Sequence, residues 1–508
     1  MADTTILEKT ADENVDKPTD VNAVNSTTVN ENNPTDVNAV NSTTVNGNNP
    51  TDINADKTTD VNAGNSTIAN ADEITEGCPE NGENPTASAT EKEIYKKDFA
   101  EYLLCLALDV GEGMLKNGGD VNRVEDTIER ICRAYGAAHV EVFTIISVIN
   151  AAVRMPDGSY SSQLRRVKST SNNLGKLERL NALSREICRE KPELQEFDAR
   201  LHRLKNHKEY SGGTIVATSA IAAAAFTLLF GGKAADALVS AAIGAVISLI
   251  EFASKDKFNI MARIVLSAFV ATVISALSVR AGLAGSHDTI MSGVIMLLVP
   301  GMAFGTAMRD LFYGDLIAGA LKTLQAVLFT LMIAFGFMLG MEIFVSVPSV
   351  NSTLSGGLLI VKEFVCAAVA SVAFAVLFRV NRRHLFWAGL GSIITFAIYY
   401  LLEENLFLAA IISAVFTALY SEISARVHKA PTLVFLITGI IPTVPGKYLY
   451  QTMRYLLEQN AALALSNFLD TMKIALGIAA GVVGVAIGWS VISDWVKKIY
   501  RKIKEKRA

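Results

Sequence analysis

Ten long apolar runs dominate the pattern of hydrophobic and polar positions after residue 210. Each run holds roughly 18–25 residues, enough for an α-helix to cross a hydrocarbon core of ~30 Å. The pattern therefore predicts an all-α polytopic membrane protein with ten transmembrane helices. The runs cover residues 213–230, 234–251, 260–280, 289–307, 316–341, 357–378, 384–402, 406–424, 431–450 and 470–493.

Residues 93–210 show a different, charged pattern. Apolar positions recur every three to five residues over 93–116 and again over 120–135, which predicts two amphipathic helices. The stretch 139–155, a Pro-Asp-Gly turn and the segment 160–168 predict one β-hairpin, and two more helices follow it. We therefore expect a small α+β domain before the first span.

The first 92 residues are a low-complexity tail with a 16-residue repeat that begins at Pro18 and again at Pro34. The tail has no aromatic residue, so it cannot bury enough apolar surface to offset the entropy of ordering, and we expect disorder. Residues 1–90 hold 3 basic and 16 acidic residues, whereas residues 211–508 hold 23 basic and 15 acidic. The formal net charge of −4 thus hides an acidic tail and a basic membrane part.

These compositions exclude a soluble globule, a nucleic-acid-binding protein and a disulfide scaffold. Basic residues at loops and span ends number nine on the side that holds the charged domain and five on the other side. Since cytoplasmic loops are enriched in Lys and Arg, both termini, including the basic segment 496–508, are predicted to be cytoplasmic. We expect an integral protein of the cell (plasma) membrane that contacts the lipid bilayer and binds no nucleic acid.

An internal repeat divides the membrane part into residues 211–345 and 346–495. Each predicted half has five spans, and an odd number inverts the second half relative to the first, as in secondary transporters. Glycine pairs spaced by four, at 336 and 340 and at 484 and 488, add a second match and are expected to allow close helix packing, as are those at 477 and 481. At a constant offset of 145, the first half has Val299-Pro300-Gly301 followed by Met308-Arg309, and the second has Val444-Pro445-Gly446 followed by Met453-Arg454.

The fourth and ninth spans are the ones that Pro-Gly interrupts. Proline removes a backbone donor and glycine permits a sharp turn, so such breaks are tolerated only where the freed groups face protein or water. Matched breaks in two halves indicate a binding site. Ionisable groups in membrane segments mark substrate or proton paths, although ion pairs that hold helix ends are the alternative. Asp315 and Lys322 are two helical turns apart on one face, and Asp470 is three residues before Lys473. The candidate substrate-path residues are Pro300, Gly301, Arg309, Asp310, Asp315, Lys322, Pro442, Pro445, Gly446, Arg454 and Asp470.

Three stretches of the chain together carry a likeness to a known family: GEGMLKNGGDVNRVEDTIERICRAYGAAHVEVF, LVPGMAFGTAMRDLFYGDLIAGALKTLQA and TGIIPTVPGKYLYQTMRYL. With these stretches in this order, the chain resembles the threonine/serine exporter family over about residues 95–495. The resemblance implies ten spans in two five-helix halves, a cytoplasmic N-terminal domain and proton-driven export of threonine and serine. Members with separate halves are linked to dicarboxylate export. Members often have an acid where this chain has Gln325, and an arginine where it has Lys322, which leaves Asp310 and Asp315 as the candidate proton carriers.

The leading hypothesis is a secondary active exporter of small amino acids that works by alternating access, without metal or cofactor. Amide groups of the broken helices and Arg309 would receive the substrate carboxylate, and Asp315 would face the amino group or carry a proton. One alternative is a dicarboxylate (succinate) exporter. Another is a membrane-anchored enzyme or sensor that acts through residues 93–210, although that domain carries no recognised catalytic motif.

Overall fold

The computed structural model describes residues 89–168, 171–207, 210–255, 257–312, 314–343 and 357–505. The predicted tail lies outside these residues, except for its last four positions, which belong to the first helix. Among the described residues, all regular elements are helices except for one small sheet. The elements before the membrane part are α1 (Ala89–Lys116), α2 (Val121–Ala134), β1 (His139–Ile145), β2 (Val148–Arg154), β3 (Tyr160–Arg166), α3 (Leu174–Glu190) and α4 (Leu194–Lys205).

Helix α1 is the centre of this region because it is apolar on nearly every side. Its residues Leu103, Leu104, Leu106 and Leu108 are all fully buried. It packs against α2, α3, α4 and two of the three strands. The helix ends where Gly118 takes a φ of +89°, a conformation that favours glycine.

The sheet corrects the predicted single hairpin. It has three antiparallel strands in the order β1-β2-β3, because residues 139–155 form two strands and not one. The chain reverses at Ile146-Ser147, between β1 and β2. That turn contains no Gly, Pro, Asn or Asp, and its single Ser147 is a weaker turn signal. The second reversal, at Pro156-Asp157-Gly158, lies where it was predicted.

The membrane part begins at α5 and matches the ten apolar runs closely. Eight of its helices are long and apolar enough to cross a membrane, by length and composition, within the described ranges. The pair α14–α15, bent by 47° at its break, counts as a ninth. The predicted fourth span is two 12-residue helices, α8 and α9, so the predicted count of ten is not reached on this criterion. The protein is a polytopic integral membrane protein whose spans are α-helical. The bounds are α5 (Gly212–Leu229), α6 (Ala234–Ser254), α7 (Ile260–Arg280), α8 (His287–Leu298), α9 (Gly301–Phe312), α10 (Leu316–Ile343), α11 (Gly357–Leu377), α12 (Leu385–Leu401), α13 (Leu406–His428), α14 (Thr432–Ile440), α15 (Gly446–Leu457) and α16 (Ala461–Glu505).

Glycines bring two pairs of membrane helices into close contact. Gly336 and Gly340 of α10 lie directly against the backbone and side chains of α7, and Gly477 and Gly481 of α16 lie in the same way against α13. A Cβ on Gly477 would lie 2.9 Å from the carbonyl oxygen of Phe407. The packing role predicted for positions 484 and 488 is wrong, since a Cβ there would meet no atom of the described residues within 4 Å. By helical spacing these two glycines are on the same face of α16 as Gly477 and Gly481, but α13 does not approach them closely.

This contrast predicts the effects of two alanine substitutions. Gly336→Ala is expected to destabilise the protein by about 1–3 kcal/mol, because the new methyl group would overlap the carbonyl oxygen of Val265, and a backbone atom cannot swing away. Gly484→Ala makes the same chemical change on an open face, so its thermal midpoint should equal that of the wild type or slightly exceed it. Thermal unfolding of the two purified variants in one detergent checks this. Equal losses would contradict the close packing of α10 on α7.

Candidate functional site: two broken helices and the charges beside them

The two predicted breaks have the same backbone geometry. Val299 has φ −60° and ψ 128°, and Val444 has φ −63° and ψ 131°. In both breaks the glycine N–H donates to the valine carbonyl oxygen two residues earlier, at 2.8 Å. Each Pro-Gly is therefore a tight turn that ends one helix and starts the next. Pro442 lies in a 3-10 turn, Ile441–Thr443, that precedes the second break.

The breaks also lie beside each other. Gly446, the first residue of α15, faces the sulfur of Met296 near the end of α8 so closely that a Cβ would overlap it. Met296 shares an apolar cluster with Ile441, and Val444 packs against that cluster. By contrast, a Cβ on Gly301 would meet no atom of the described residues within 4 Å. The structure thus brings together the two predicted Pro-Gly motifs, which are 145 positions apart.

Buried hydroxyl groups join the helices that lie beside the broken spans, and they were not among the predicted site residues. Thr227 and Ser240 share a hydrogen bond of 2.5 Å, and Ser371 and Ser392 share one of the same length. Ser371 also donates to the carbonyl oxygen of Thr438 in α14, at 3.0 Å. Thr227, Ser240, Ser371 and Ser392 are fully buried. Polar residues inside apolar runs are the signal that could have found them.

A charged cluster links α15 to α8. Arg454, a predicted site residue, forms an ion pair with Asp288, and Tyr450 donates its hydroxyl proton to the same carboxylate at 3.0 Å. Arg454 also binds Glu458 on its own helix, at 2.8 Å. Tyr450 is 1% exposed, and its ring lies edge-on to Phe337 with centroids 5.2 Å apart. Asp288 and Tyr450 were not predicted, since each is an ordinary residue at the edge of an apolar run.

The second cluster contains Asp310, Lys322 and Asp315. Lys322 forms its ion pair with Asp310, which is 1% exposed, and not with Asp315 as its spacing suggested. The reason is the turn at Gly314, whose φ of +96° folds α10 back along α9. The turn brings Asp310 beside Lys322, while Asp315 is near Asn122 of α2. The pair is therefore a contact between two neighbouring helices.

The remaining predicted residues lie apart. Asp470 pairs with Lys473, one turn along α16, at 2.8 Å, and Lys473 is 55% exposed. That geometry fits the alternative of an ion pair at the helix surface. The backbone of Arg309 belongs to α9, but its side chain is outside the described residues.

The acids of the α+β domain are engaged in structural contacts. Glu112, Asp126 and Glu129 form ion pairs one helical turn away on their own helices. Glu125 accepts the Thr144 backbone N–H at 2.7 Å, and burial raises the pKa of this carboxyl. Within the described part of the chain, no group of three His, Cys, Asp or Glu residues could hold a metal ion.

The α+β domain is attached to the end of α11 and to the turn that follows it. The backbone N–H groups of Leu174 and Gly175 at the start of α3 donate to the carbonyl oxygens of Phe378 and Arg379, at 2.9 and 3.1 Å. The Tyr210 hydroxyl donates to the carbonyl oxygen of Val380 at 2.7 Å. The first residues of α3 thus cap a membrane helix of the second half.

One carboxylate reinforces this attachment. Glu178 of α3, 4% exposed, forms an ion pair with Arg383 and lies 3.3 Å from Nε2 of His384, just before α12. Burial alone would raise the pKa of Glu178, but the hydrogen bonds and charges of His384 and Arg383 outweigh it and lower the pKa below the ordinary 4.5. The ionised carboxylate therefore favours the docked domain.

The sign of this shift predicts an acid-sensitive attachment. A lowered pKa contributes stability that is complete above pH 4.5 and is lost as the pH falls through the lower folded value. In the Glu178→Gln variant, the amide hydrogens of Leu174 and Gly175 should exchange faster than in the wild type at pH 7. In the wild type, their exchange should become faster only in acid, after correction for the intrinsic pH dependence of exchange. Glu186→Gln is the matched control, because Glu186 is on the same helix but pairs with Arg200 inside the domain. Equal exchange in both variants would contradict the role of Glu178.

Comparison with known proteins agrees with these features. Residues 105–344 match the family model described as a threonine/serine exporter. Residues 363–487 match a second model, described as Threonine/Serine exporter, ThrE. A "Threonine/serine exporter" of Corynebacterium glutamicum is 23% identical over 416 residues, which cover 78% of this chain and 83% of the relative. No solved structure matches the chain.

Each of the two family models matches one of the two sets of membrane helices. The first covers most of the α+β domain and helices α5 to α10, and the second covers α11 to α15 and much of α16. The relative spans both sets. The chain belongs to the threonine/serine exporter family and is therefore a transporter and not an enzyme.

Proposed function

We propose that this protein is a secondary active exporter of threonine and serine, coupled to protons, that works by alternating access. The observation that carries the proposal is the meeting of two helix breaks with the same turn, at Val299–Gly301 and Val444–Gly446. Broken helices in corresponding positions of two repeats are typical of substrate sites in secondary transporters. The name of the Corynebacterium relative supports the substrate class.

An inverted repeat of five spans per half, residues 211–345 and 346–495, is part of this proposal. It counts α8 with α9 as one broken span and α14 with α15 as another, which makes ten. Helix pairs that pack in the first half have counterparts in the second: α5 with α6 and α11 with α12, α7 with α10 and α13 with α16, α9 with α10 and α15 with α16. Ser371 lies 144 positions after Thr227, and both use their hydroxyl groups beside a broken span. These correspondences favour two copies of one plan.

The proposed substrate site is at the start of α9 and of α15. The first N–H groups of an α-helix have no partner within the helix and carry a partial positive charge, so they suit a carboxylate. Gly301 and Gly446 begin these helices. Arg309 is about 12 Å further along α9 and would add a positive charge to the substrate path there. Pro300, Pro442 and Pro445 would keep the breaks open.

Asp310 and Asp315 are the proposed proton-binding groups. The buried carboxylate of Asp310 can bind a proton in place of Lys322 only if the two side chains separate. Protonation of Asp310 is therefore tied to movement of α9 against α10. Asp470 pairs with the exposed Lys473 on the surface of α16. It would lie at the end of the substrate path or would only stabilise α16. We place both termini in the cytoplasm and the protein in the plasma membrane, from the Lys and Arg distribution.

Efflux from cells that overproduce the protein tests the proposal. Cells are loaded with a threonine-containing dipeptide, with a serine-containing dipeptide or with succinate, and the release of threonine, serine or succinate is followed with and without a proton-gradient uncoupler. We expect export of threonine and serine that depends on the protein and slows with the uncoupler. Release of succinate alone would identify a dicarboxylate exporter, and release that is unchanged by the protein would overturn transport of all three.

A further inference from the structure

The Asp288–Arg454 ion pair joins the two proposed halves at a point far from the breaks. Asp288 is 11 residues before Val299, and Arg454 is 8 residues after Gly446. With a rise of 1.5 Å per residue, the pair lies about 12–16 Å from the breaks along either helix. We propose that this pair is a gate that a zwitterionic amino acid opens with its own two charges, so that Asp288 and Arg454 select zwitterions over dicarboxylates. The inference rests on the proposed function.

The position of the pair is that of a gate at one end of the helices. Helix α8 is joined to α9, and the far end of α9 turns at Gly314 towards α2 of the α+β domain. The start of α8 is therefore at the opposite end of the broken span. Asp236 of α6 fixes that start, because its carboxylate accepts the N–H groups of Gly285 and Ser286, at 2.7 and 3.2 Å.

The residues around the ion pair limit the access of water to it. The Asp288 and Arg454 side chains are 18% and 25% exposed, and Tyr450, which donates to Asp288, is 1% exposed. The Tyr450 ring packs against Phe337 of α10, so α15 contributes to the apolar core of the first half. Separating the two charges in such surroundings is unfavourable unless other charges replace them. The pair therefore stays closed while no substrate is present.

A zwitterion carries the two replacements in one molecule. Its ammonium group can take the place of Arg454 at Asp288, and its carboxylate can take the place of Asp288 at the guanidinium. Neither charge is then left unpaired when α15 moves away from α8. A dicarboxylate could satisfy Arg454, but its second carboxylate would meet Asp288, and like charges at that distance repel. The gate thus distinguishes amino acids from diacids of similar size.

Charge removal at Asp288 tests the gate, with Glu458 as the matched control. Both carboxylates bind Arg454, but only Asp288 is on the other half. Proteoliposomes that contain the full-length protein are loaded with labelled threonine, with or without excess succinate. For Asp288→Asn we expect at least a tenfold fall in threonine efflux and the appearance of competition by succinate. Glu458→Gln should stay within twofold of the wild type, with no competition, and Asp288→Glu should recover part of the efflux.

A second measurement covers the case in which Asp288→Asn fails to fold. In the purified wild type, threonine should speed amide hydrogen exchange at the start of α8 and the end of α15 at least twofold, and succinate should not. Equal effects of the two compounds, or unchanged threonine efflux and selectivity in Asp288→Asn, would overturn the gate. Wild-type protein that exports no threonine at all would instead overturn the proposed function.

Discussion

Replacing Lys322 with methionine is expected to destabilise the protein by about 3–5 kcal/mol and to abolish threonine efflux. The substitution leaves the carboxylate of Asp310, 1% exposed, without its only charged partner among the ion pairs of the described residues. Removing one member of a buried ion pair costs more than removing both, because an uncompensated charge stays behind. Thermal unfolding of the purified variant and efflux from proteoliposomes measure the two losses.

Two further variants separate stability from transport. Asp310→Leu with Lys322→Met replaces both charges by apolar groups and should restore most of the thermal stability. Efflux should stay at least tenfold below the wild type, because the proposed proton-binding group is gone. Lys473→Met is the control: it breaks the exposed pair with Asp470, and such pairs contribute about 0–1 kcal/mol. Normal efflux from the double variant would show that the Asp310–Lys322 pair has only a structural role.

Replacing Pro442 and Pro445 together with alanine is expected to lower threonine efflux at least tenfold while the protein still folds. Each proline costs about 3 kcal/mol relative to alanine inside a helix, so removing both makes a continuous helix from α14 to α15 much more favourable. A straightened ninth span would carry its own backbone hydrogen bonds and would lose the helix start at Gly446 that the proposed substrate site uses. Pro300→Ala should act in the same way on α8 and α9, because its break has the same φ and ψ before the proline.

The matched control for both variants is Pro431→Ala. Pro431 immediately precedes α14 and has φ −61° and ψ 140°, so it lies at the beginning of the same broken span but outside the break. Its replacement should leave efflux near the wild-type value. Similar rates from all three variants would mean that the extended valines, and not the prolines, keep the helices apart.

Sequence reasoning located the membrane helices well because their signal is local. The run predicted at 260–280 is α7, Ile260–Arg280, and the charged domain ended where α5 begins. The Pro-Gly motifs were also found, since a repeated motif needs no three-dimensional information. The contact of the second motif, at Gly446, with Met296 near the end of α8 was not visible in the sequence.

Pairings between distant positions were the part that the sequence could not supply. Asp288 and Arg454 are 166 positions apart, and nothing in either segment marks the other as its partner. Lys322 was assigned to Asp315 by helical spacing, but the Gly314 turn placed it against Asp310 on the preceding helix. The missing strand has a similar cause, because Ser147 is the only turn-forming residue of the Ile146-Ser147 turn and its signal is weak. Tertiary contacts decided each of these three cases.

The cap that α3 provides for α11 has a consequence for the order of assembly. The three carbonyl groups that directly follow α11, those of Phe378, Arg379 and Val380, need donors from outside the helix. The donors are Leu174, Gly175 and Tyr210, all of which leave the ribosome before α11 is made. Domains fold as units during synthesis, the N-terminal one first. The α+β domain can therefore be folded already, with these donors in position, when the second set of helices enters the membrane. The domain would then act as a chaperone built into the chain, one that remains in place after the folding is complete.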